Sequence, residues 1–228
     1  MIYNNIKKAK FISRPNRFIA NIELNGNTEI CHVKNTGRCK ELLTDDATIF
    51  VQEFDNLSRK TKFDLISVYK GDRLINIDSQ VPNKVFHEWV KDSGLFENIT
   101  LIKPEYKYGN SRFDFYIETL EKKIFVEIKG VTLEENGVVL FPDAPTIRGV
   151  KHLNELINSI DDGYEAYVVF IVQMKDVRYF TPNINTHKEF GETLSLAQKK
   201  GVNVLALDCD VTEDSIIAGE FVEVRLNI

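Results

Sequence analysis

The hydrophobic pattern changes period at Pro82, and that change constrains the architecture more tightly than any other feature of the chain. Before it, apolar and polar residues alternate in short runs at 18–24, 28–33, 48–51, 63–69 and 73–77, and the first run ends at Asn25-Gly26. Alternation with period two marks half-buried strands, and Asn-Gly between two such runs is a strong hairpin signal. Five short strands within about eighty residues suit a small barrel such as an OB-fold. The same periodicity also fits a β-sheet cap on a larger unit.

After Pro82, Val85, Phe86, Trp89 and Val90 share a helical face, and Gly94 ends the run. Two strands follow near 112–117 and 123–129, joined by a polar turn at 118–122. A loop with Pro142 and Pro145 leads into a helix with the stripe Val150, Leu153, Leu156, Ile157 and Ile160. Residues 166–172 read as a fully apolar strand. Thr186-His-Lys-Glu189 reads as a capping box opening a helix to Lys200, and 202–207 as a last buried strand. This order predicts an α/β (α+β) sheet with helices on its faces, and a division into residues 1–82 and 83–228.

Charge is unevenly spread. In residues 1–40, eight lysines and arginines against Glu23 and Glu29 leave +6; with −5 on the whole chain, the remainder carries −11. Such asymmetry suggests a basic face toward a polyanion, or simply a solvated surface. Cys31, Cys39 and Cys209 fit no metal spacing and read as free thiols in a reducing compartment. The first residues lack the apolar stretch of a signal peptide, and the apolar run at 167–172 is far too short to cross a membrane. The expectation is a cytoplasmic protein without a membrane partner.

The most informative stretch is 111–130, SRFDFYIETLEKKIFVEIKG, in which charges interrupt two apolar strands. Strand alternation predicts Phe113, Phe115 and Ile117 on one face and Arg112, Asp114 and Tyr116 on the other, with Glu127 and Lys129 opposite Val126 and Ile128. Paired as a hairpin, the strands bring Asp114 beside Glu127, with Lys129 one step along. Two carboxylates there offer hard oxygen ligands for Mg²⁺ or Mn²⁺, and the Ile128 backbone carbonyl can add a third. Lys129 can hold an attacking water or stabilise developing charge on a phosphate. Glu88, three residues after Val85, can face the same metal. On an exposed strand, the same Glu-X-Lys would be only a surface ion pair.

The wider segments Glu105-Tyr-Lys-Tyr-Gly109, Ser111-Arg-Phe-Asp-Phe115, Glu127-Ile-Lys-Gly-Val-Thr-Leu133 and Phe141-Pro-Asp-Ala-Pro-Thr-Ile-Arg-Gly-Val-Lys-His-Leu153 resemble the sugar fermentation stimulation protein family. Arg14-Pro-Asn-Arg-Phe18, the stretch 32–42, Arg59-Lys60 and Asn83-Lys-Val-Phe-His-Glu88 agree with it, so the resemblance covers essentially the whole chain. It implies an N-terminal OB-like β-barrel followed by a PD-(D/E)XK nuclease-like mixed sheet flanked by helices. It also implies DNA binding linked to sugar metabolism and metal-dependent phosphodiester cleavage. Carried over by position, the acids are Glu88, Asp114 and Glu127 and the lysine is Lys129. Asn185-Thr186-His187 departs from the acidic residue usual before the last helix, which changes a cap and leaves the metal set intact. Ser111-Arg112 stands where the wider nuclease group often has Pro, which is no ligand.

Arg148, Lys151 and His152 follow a Pro-bounded loop at a helix start, where free N–H groups attract phosphate. Arg148 and His152, four apart, share a helix face and read either as phosphate contacts or as an exposed polar face. In the first unit Arg14, Arg17, Arg38, Arg59 and Lys60 are candidates for neutralising phosphates. Phe18 reads first as a core residue of its strand, with base stacking as the alternative, and residues 35–37 read as a turn. Two functions follow: a Mg²⁺-dependent nuclease, or a non-catalytic DNA-binding regulator of sugar-metabolism genes. The sequence leaves DNA against RNA, and monomer against homodimer, open.

Overall fold

The structure, a computed structural model, describes residues 1–35, 37–56 and 58–226, so Thr36 of the expected 35–37 turn lies outside the described residues. Strands β1 (Ile6–Asn16), β2 (Ile19–Leu24), β3 (Asn27–Val33), β4 (Thr48–Glu53) and β5 (Phe63–Lys70) run in the order β3-β2-β1-β4-β5. A parallel β3–β5 pairing closes them into a barrel, and β6 (Arg73–Asn76) adds to β5. The open alternative of a sheet cap is thereby set aside. Asn25 and Gly26 both have positive φ, 52° and 78°, in the two-residue turn between Leu24 and Asn27. Phe11, Ile22, Val33, Val51, Leu65 and Val68 fill the barrel core.

Strand β1 is absent from the sequence reading, which starts the barrel at residue 18. Its inward positions include only Ala9 and Phe11 as buried residues, while Lys7, Lys8 and Lys10 project to solvent. Two buried residues in eleven leave too faint an alternation to register.

The rest of the chain forms α1 (Val81–Trp89), β7 (Ile99–Tyr108), β8 (Ser111–Thr119), β9 (Lys123–Val131), β10 (Leu133–Glu135), β11 (Val138–Phe141), α2 (Ile147–Asp161), β12 (Glu165–Val172), β13 (Tyr179–Pro182), α3 (Ile184–Lys199), β14 (Asn203–Val211) and β15 (Ile216–Phe221). One mixed sheet has the order β15-β14-β12-β9-β8-β7. Its central strands β9, β12 and β14 are parallel, and β7, β8 and β15 are antiparallel to their neighbours. The small sheet β10-β11-β13 stands apart. Central parallel strands are covered on both faces, which is why 166–172 reads as continuous apolar sequence. Phe86 of α1 packs with Phe115, Ile117, Val126 and Ile128; Leu153 and Leu156 of α2 and Phe190 and Leu194 of α3 pack with Phe113, Phe125 and Phe170. The last helix is capped by Asn183, which accepts from Thr186 N at 3.3 Å, in place of the expected Thr186 box, and it breaks helical geometry at His187.

A buried polar bolt joins barrel to sheet. Gln173 Nε2 donates to Asn76 O, Asn76 Oδ1 and Asp78 O at 3.0, 3.1 and 3.1 Å, while Asn76 N donates to Gln173 O at 2.9 Å. Beside it, Lys70 and Arg73 of the β5–β6 hairpin grip Glu134 of β10 at 2.7 and 2.9 Å. Burial opposes the Glu134 charge, but Lys70, the Gly137 N–H and Arg73 outweigh it and hold the carboxyl below its usual range. A carboxyl with a depressed folded pKa stabilises the fold above its unfolded value of about 4.3, and that stability is lost as pH falls through the folded pKa. Between pH 5 and pH 3 the melting temperature of the parent should therefore fall further than that of Glu134→Gln; parallel curves would contradict this.

Candidate active site

The β8–β9 ladder ends at Phe115↔Val126, and the two acids stand just beyond it. There the Asp114 Oδ2 accepts the Ile128 N–H at 2.8 Å, and its Oδ1 accepts Asn83 Nδ2 from α1 at 2.9 Å. The expected strict alternation breaks at this point. Phe113 packs on the α2 side with Tyr116, whereas Phe115 and Ile117 pack on the α1 side. Asp114 therefore bonds toward α1 while Glu127 bonds toward α2, and both line the cleft where β8 and β9 part.

Glu127 is buried at 2% exposure. Its Oε1 accepts Lys129 Nζ at 2.5 Å and also the imidazole Nδ1 of His152. The Arg148 Nε–H donates to His152 Nε2 at 3.3 Å, so Nε2 is the acceptor and Nδ1 carries the proton. Glu127 Oε2 is buried and has no hydrogen-bond partner. Burial opposes the Glu127 charge, yet His152 and Lys129 together hold the carboxyl below its usual range. For Asp114 burial and then the charge of Glu127 push the carboxyl up, against the Ile128 N–H, Asn83 and Lys129. Ser79, Gln80, Asn83, Asp114, Glu127, Ile128, Lys129 and Arg148 line one open cleft of about 650 Å³.

This donor set fits a divalent cation. An orphaned, buried carboxylate oxygen is costly unless a cation meets it, and each Asp114 oxygen keeps a second lone pair beyond the hydrogen bond it accepts. Among the described residues no group of three His, Cys, Asp or Glu side chains has metal-binding spacing, so the third oxygen must come from the backbone or from solvent.

Several expected site residues lie elsewhere. Glu88 does not reach the carboxylates: its side chain is 57% exposed and pairs with the N-terminal amine at 2.6 Å. Helix α1 turns its first residues toward the cleft, so Asn83, five positions earlier, takes the place expected for Glu88. His152 is 4% exposed and bonded to Glu127, so it cannot touch nucleic acid. Its position betrays this, because Gly149, His152, Leu153 and Leu156 form the buried face of α2. Arg148 lines the cleft, whereas Lys151 bonds Asn110 O at 2.8 Å and does not line it.

In the barrel, Arg14 is spent on its own backbone. Nη1 donates to Gly37 O and Arg38 O at 2.8 Å each, and Nη2 to Arg17 O at 2.8 Å and Asn35 O at 2.6 Å. Arg59 neutralises Asp64, which is 2% exposed, and lies 4.0 Å over the Phe54 ring. Neither offers its charge to a phosphate. Arg17, Arg38 and Lys60 are exposed. Phe18 is not a core residue: it is 54% exposed, on a turn held by Asn16 Oδ1, which accepts Phe18 N at 2.9 Å and Ile19 N at 3.1 Å. Arg14 thus fastens the turn carrying Arg17 and Phe18 to the loop carrying Arg38.

The three cysteines are buried and unpaired, and among the described residues no helix is long and apolar enough to cross a membrane. Comparison with known proteins gives a consistent picture. Residues 80–215 match the family described as "Sugar fermentation stimulation protein RE domain", and residues 12–77 match "SfsA N-terminal OB domain". The chain is 65% identical over 226 residues to a sugar fermentation stimulation protein homolog of Clostridium beijerinckii, covering 99% of this chain and 100% of that one. It is 61% identical over 226 residues to the homolog of Ruminiclostridium cellulolyticum, with 99% and 100% covered. Among solved structures, that of Pyrococcus furiosus SfsA in complex with Ca²⁺ is similar at a TM-score of 0.89 and 28% identity, covering 99% of this chain and 98% of that one.

Proposed function

The chain belongs to the sugar fermentation stimulation protein family, and from that membership we propose that it is a divalent-metal-dependent nuclease, with DNA as its expected substrate. The observation that carries this reading is Glu127 Oε2, buried and unpartnered in a residue that lines the same cleft as Asp114, Lys129 and Arg148. Asp114, Glu127 and the Ile128 carbonyl would hold Mg²⁺ or Mn²⁺. That the Pyrococcus furiosus relative is described in complex with Ca²⁺, an oxygen-seeking ion, supports a divalent cation as the partner of this chain. When bound, such an ion polarises a phosphoryl oxygen and makes water nucleophilic near neutral pH.

The chain's own groups divide the remaining work. Asn83 and the Ile128 N–H fix both oxygens of Asp114. Lys129 spends one of its three donors on Glu127 and keeps two for an attacking water or for charge building on the phosphate. Arg148, on the cleft wall, supplies a fixed cation for the backbone of the strand.

In the unit ending near residue 82, the exposed Arg17, Arg38 and Lys60 would track phosphates, with Phe18 available for stacking on a base. Arg17→Ala and Arg38→Ala should each weaken binding to DNA and reduce the slope of log K against log[salt] by about one. A salt slope identical to the parent's in both variants would remove these residues from the interface.

The decisive assay incubates the protein with single- and double-stranded DNA and RNA, with Mn²⁺ or with chelator. Cleavage that needs the cation supports the proposal. Intact substrates together with salt-sensitive DNA binding would overturn it in favour of a non-catalytic regulator of sugar-metabolism genes.

A further inference from the structure

His152 is buried among apolar residues of α2, and both of its nitrogens are committed. Nδ1–H donates to Glu127 Oε1, and Nε2 accepts from Arg148 Nε at 3.3 Å. Phe113 meets the imidazole edge to face, with centroids 6.3 Å apart, and so limits its rotation. A plain core position on this stripe would take Leu or Met without the cost of burying two polar nitrogens. What the imidazole does instead is specific. Lys129 and His152 converge on one oxygen of Glu127, which leaves the other, Oε2, without a partner.

We propose that His152 is a positioning residue for Glu127: its Nδ1–H holds Oε1 so that Oε2 is presented to the cation, and its Nε2 ties this arrangement to Arg148 on the cleft wall. The assignment rests on the cation reading above. The tautomer is part of it. With the proton on Nε2, the ring would confront Glu127 with a lone pair and Arg148 with a second donor, and both contacts would fail.

Calorimetric titration of the full chain with Mn²⁺ tests the role without reference to cleavage. His152→Ala should bind Mn²⁺ about 10–100-fold more weakly than the parent, the usual loss when a partner of a metal ligand is removed. His152→Asn should recover to within about threefold, because its amide N–H₂ stands near the Nδ1 position. His152→Gln should resemble Ala, because its amide reaches toward the Nε2 side instead. Circular dichroism and melting confirm that each variant is folded. A folded His152→Ala that binds like the parent, or a His152→Asn as weak as Ala, overturns the proposal.

Should the parent bind no Mn²⁺, the cation reading fails, and the positioning role is decided by nitrogen spectra of ¹⁵N-histidine-labelled protein. An Nδ1–H tautomer for His152 whose signal moves in Glu127→Gln supports it. An Nε2–H tautomer, or a signal indifferent to Glu127→Gln, overturns it.

Discussion

Asp114→Asn and Lys129→Ala should each lower Mn²⁺-dependent cleavage by about 10³-fold or more, measured as initial rates on a labelled oligonucleotide at saturating metal. Asn is nearly isosteric with Asp, but it removes the charge and offers an N–H₂ where an acceptor stands, so it opposes either Asn83 or the Ile128 N–H. Lys129→Ala removes a donor to Glu127 together with the one lysine among the described residues that line the cleft. Their signatures should differ. Asp114→Asn loses a ligand charge, and so Mn²⁺ affinity along with rate, whereas Lys129→Ala leaves His152 to hold Glu127 Oε1 and so loses far more rate than affinity. Rates within tenfold of the parent in both folded variants would contradict the assignment.

Gln173→Leu is expected to be the most damaging substitution away from the cleft. Leu fills a comparable volume, but the carbonyls of Asn76 and Asp78 and the Asn76 side-chain oxygen lose their shared donor inside the protein. Asn76 O is then left without a donor, at about 1–3 kcal/mol, while Asn76 Oδ1 and Asp78 O keep the Asp78 and Val81 N–H groups at 2.9 and 3.3 Å and each lose a bond worth about 0.5–1.5 kcal/mol, so a total of about 3 kcal/mol follows. For a domain of this size that lowers the melting temperature by about 6–12 °C. The consequence also reaches the site, since Ser79, Gln80 and Asn83 follow directly from Asp78. Gly130 lies in the same junction: a Cβ there would stand 2.6 Å from Gln173 Oε1 and 2.8 Å from Pro82 Cγ, so β9 passes under α1 only as glycine. Calorimetric unfolding of Gln173→Leu within 2 °C of the parent would show that the bolt is dispensable.

How much of this was legible in sequence depends on how local the signal was. Strands β8 and β9 and helix α2 were legible because each carries several buried apolar residues at a regular period. Pairing those two strands put Asp114 and Glu127 at neighbouring positions, because hairpin register is a local property, but the shared sheet face expected for them does not form: the ladder stops at Phe115↔Val126, and the two acids share a cleft instead. Strand β7 was not legible: no residue of it is buried, so an edge strand left no alternation to read. The split of Asp114 and Glu127 toward different helices was hidden too, because it depends on where the ladder ends.

Errors at the site share a cause. Glu88 was placed from the apolar stripe of α1, which gives the buried face of a helix but not which end points to the sheet. Arg14, Arg59 and His152 were weighed as surface charges, yet their partners are Asn35 O, Asp64 and Glu127, at 21, 5 and 25 residues' distance. For Arg14 and His152 no spacing rule reaches a partner that far along the chain. Only His152 carried a usable clue, its place on the buried stripe of α2.

Anomalous scattering from a crystal soaked in Mn²⁺ tests the central claim most directly. The account predicts one strong peak in contact with Asp114, Glu127 Oε2 and the Ile128 carbonyl, and its loss in Asp114→Asn. A soaked crystal whose manganese peaks all lie away from these oxygens, or a peak that survives Asp114→Asn, would contradict it.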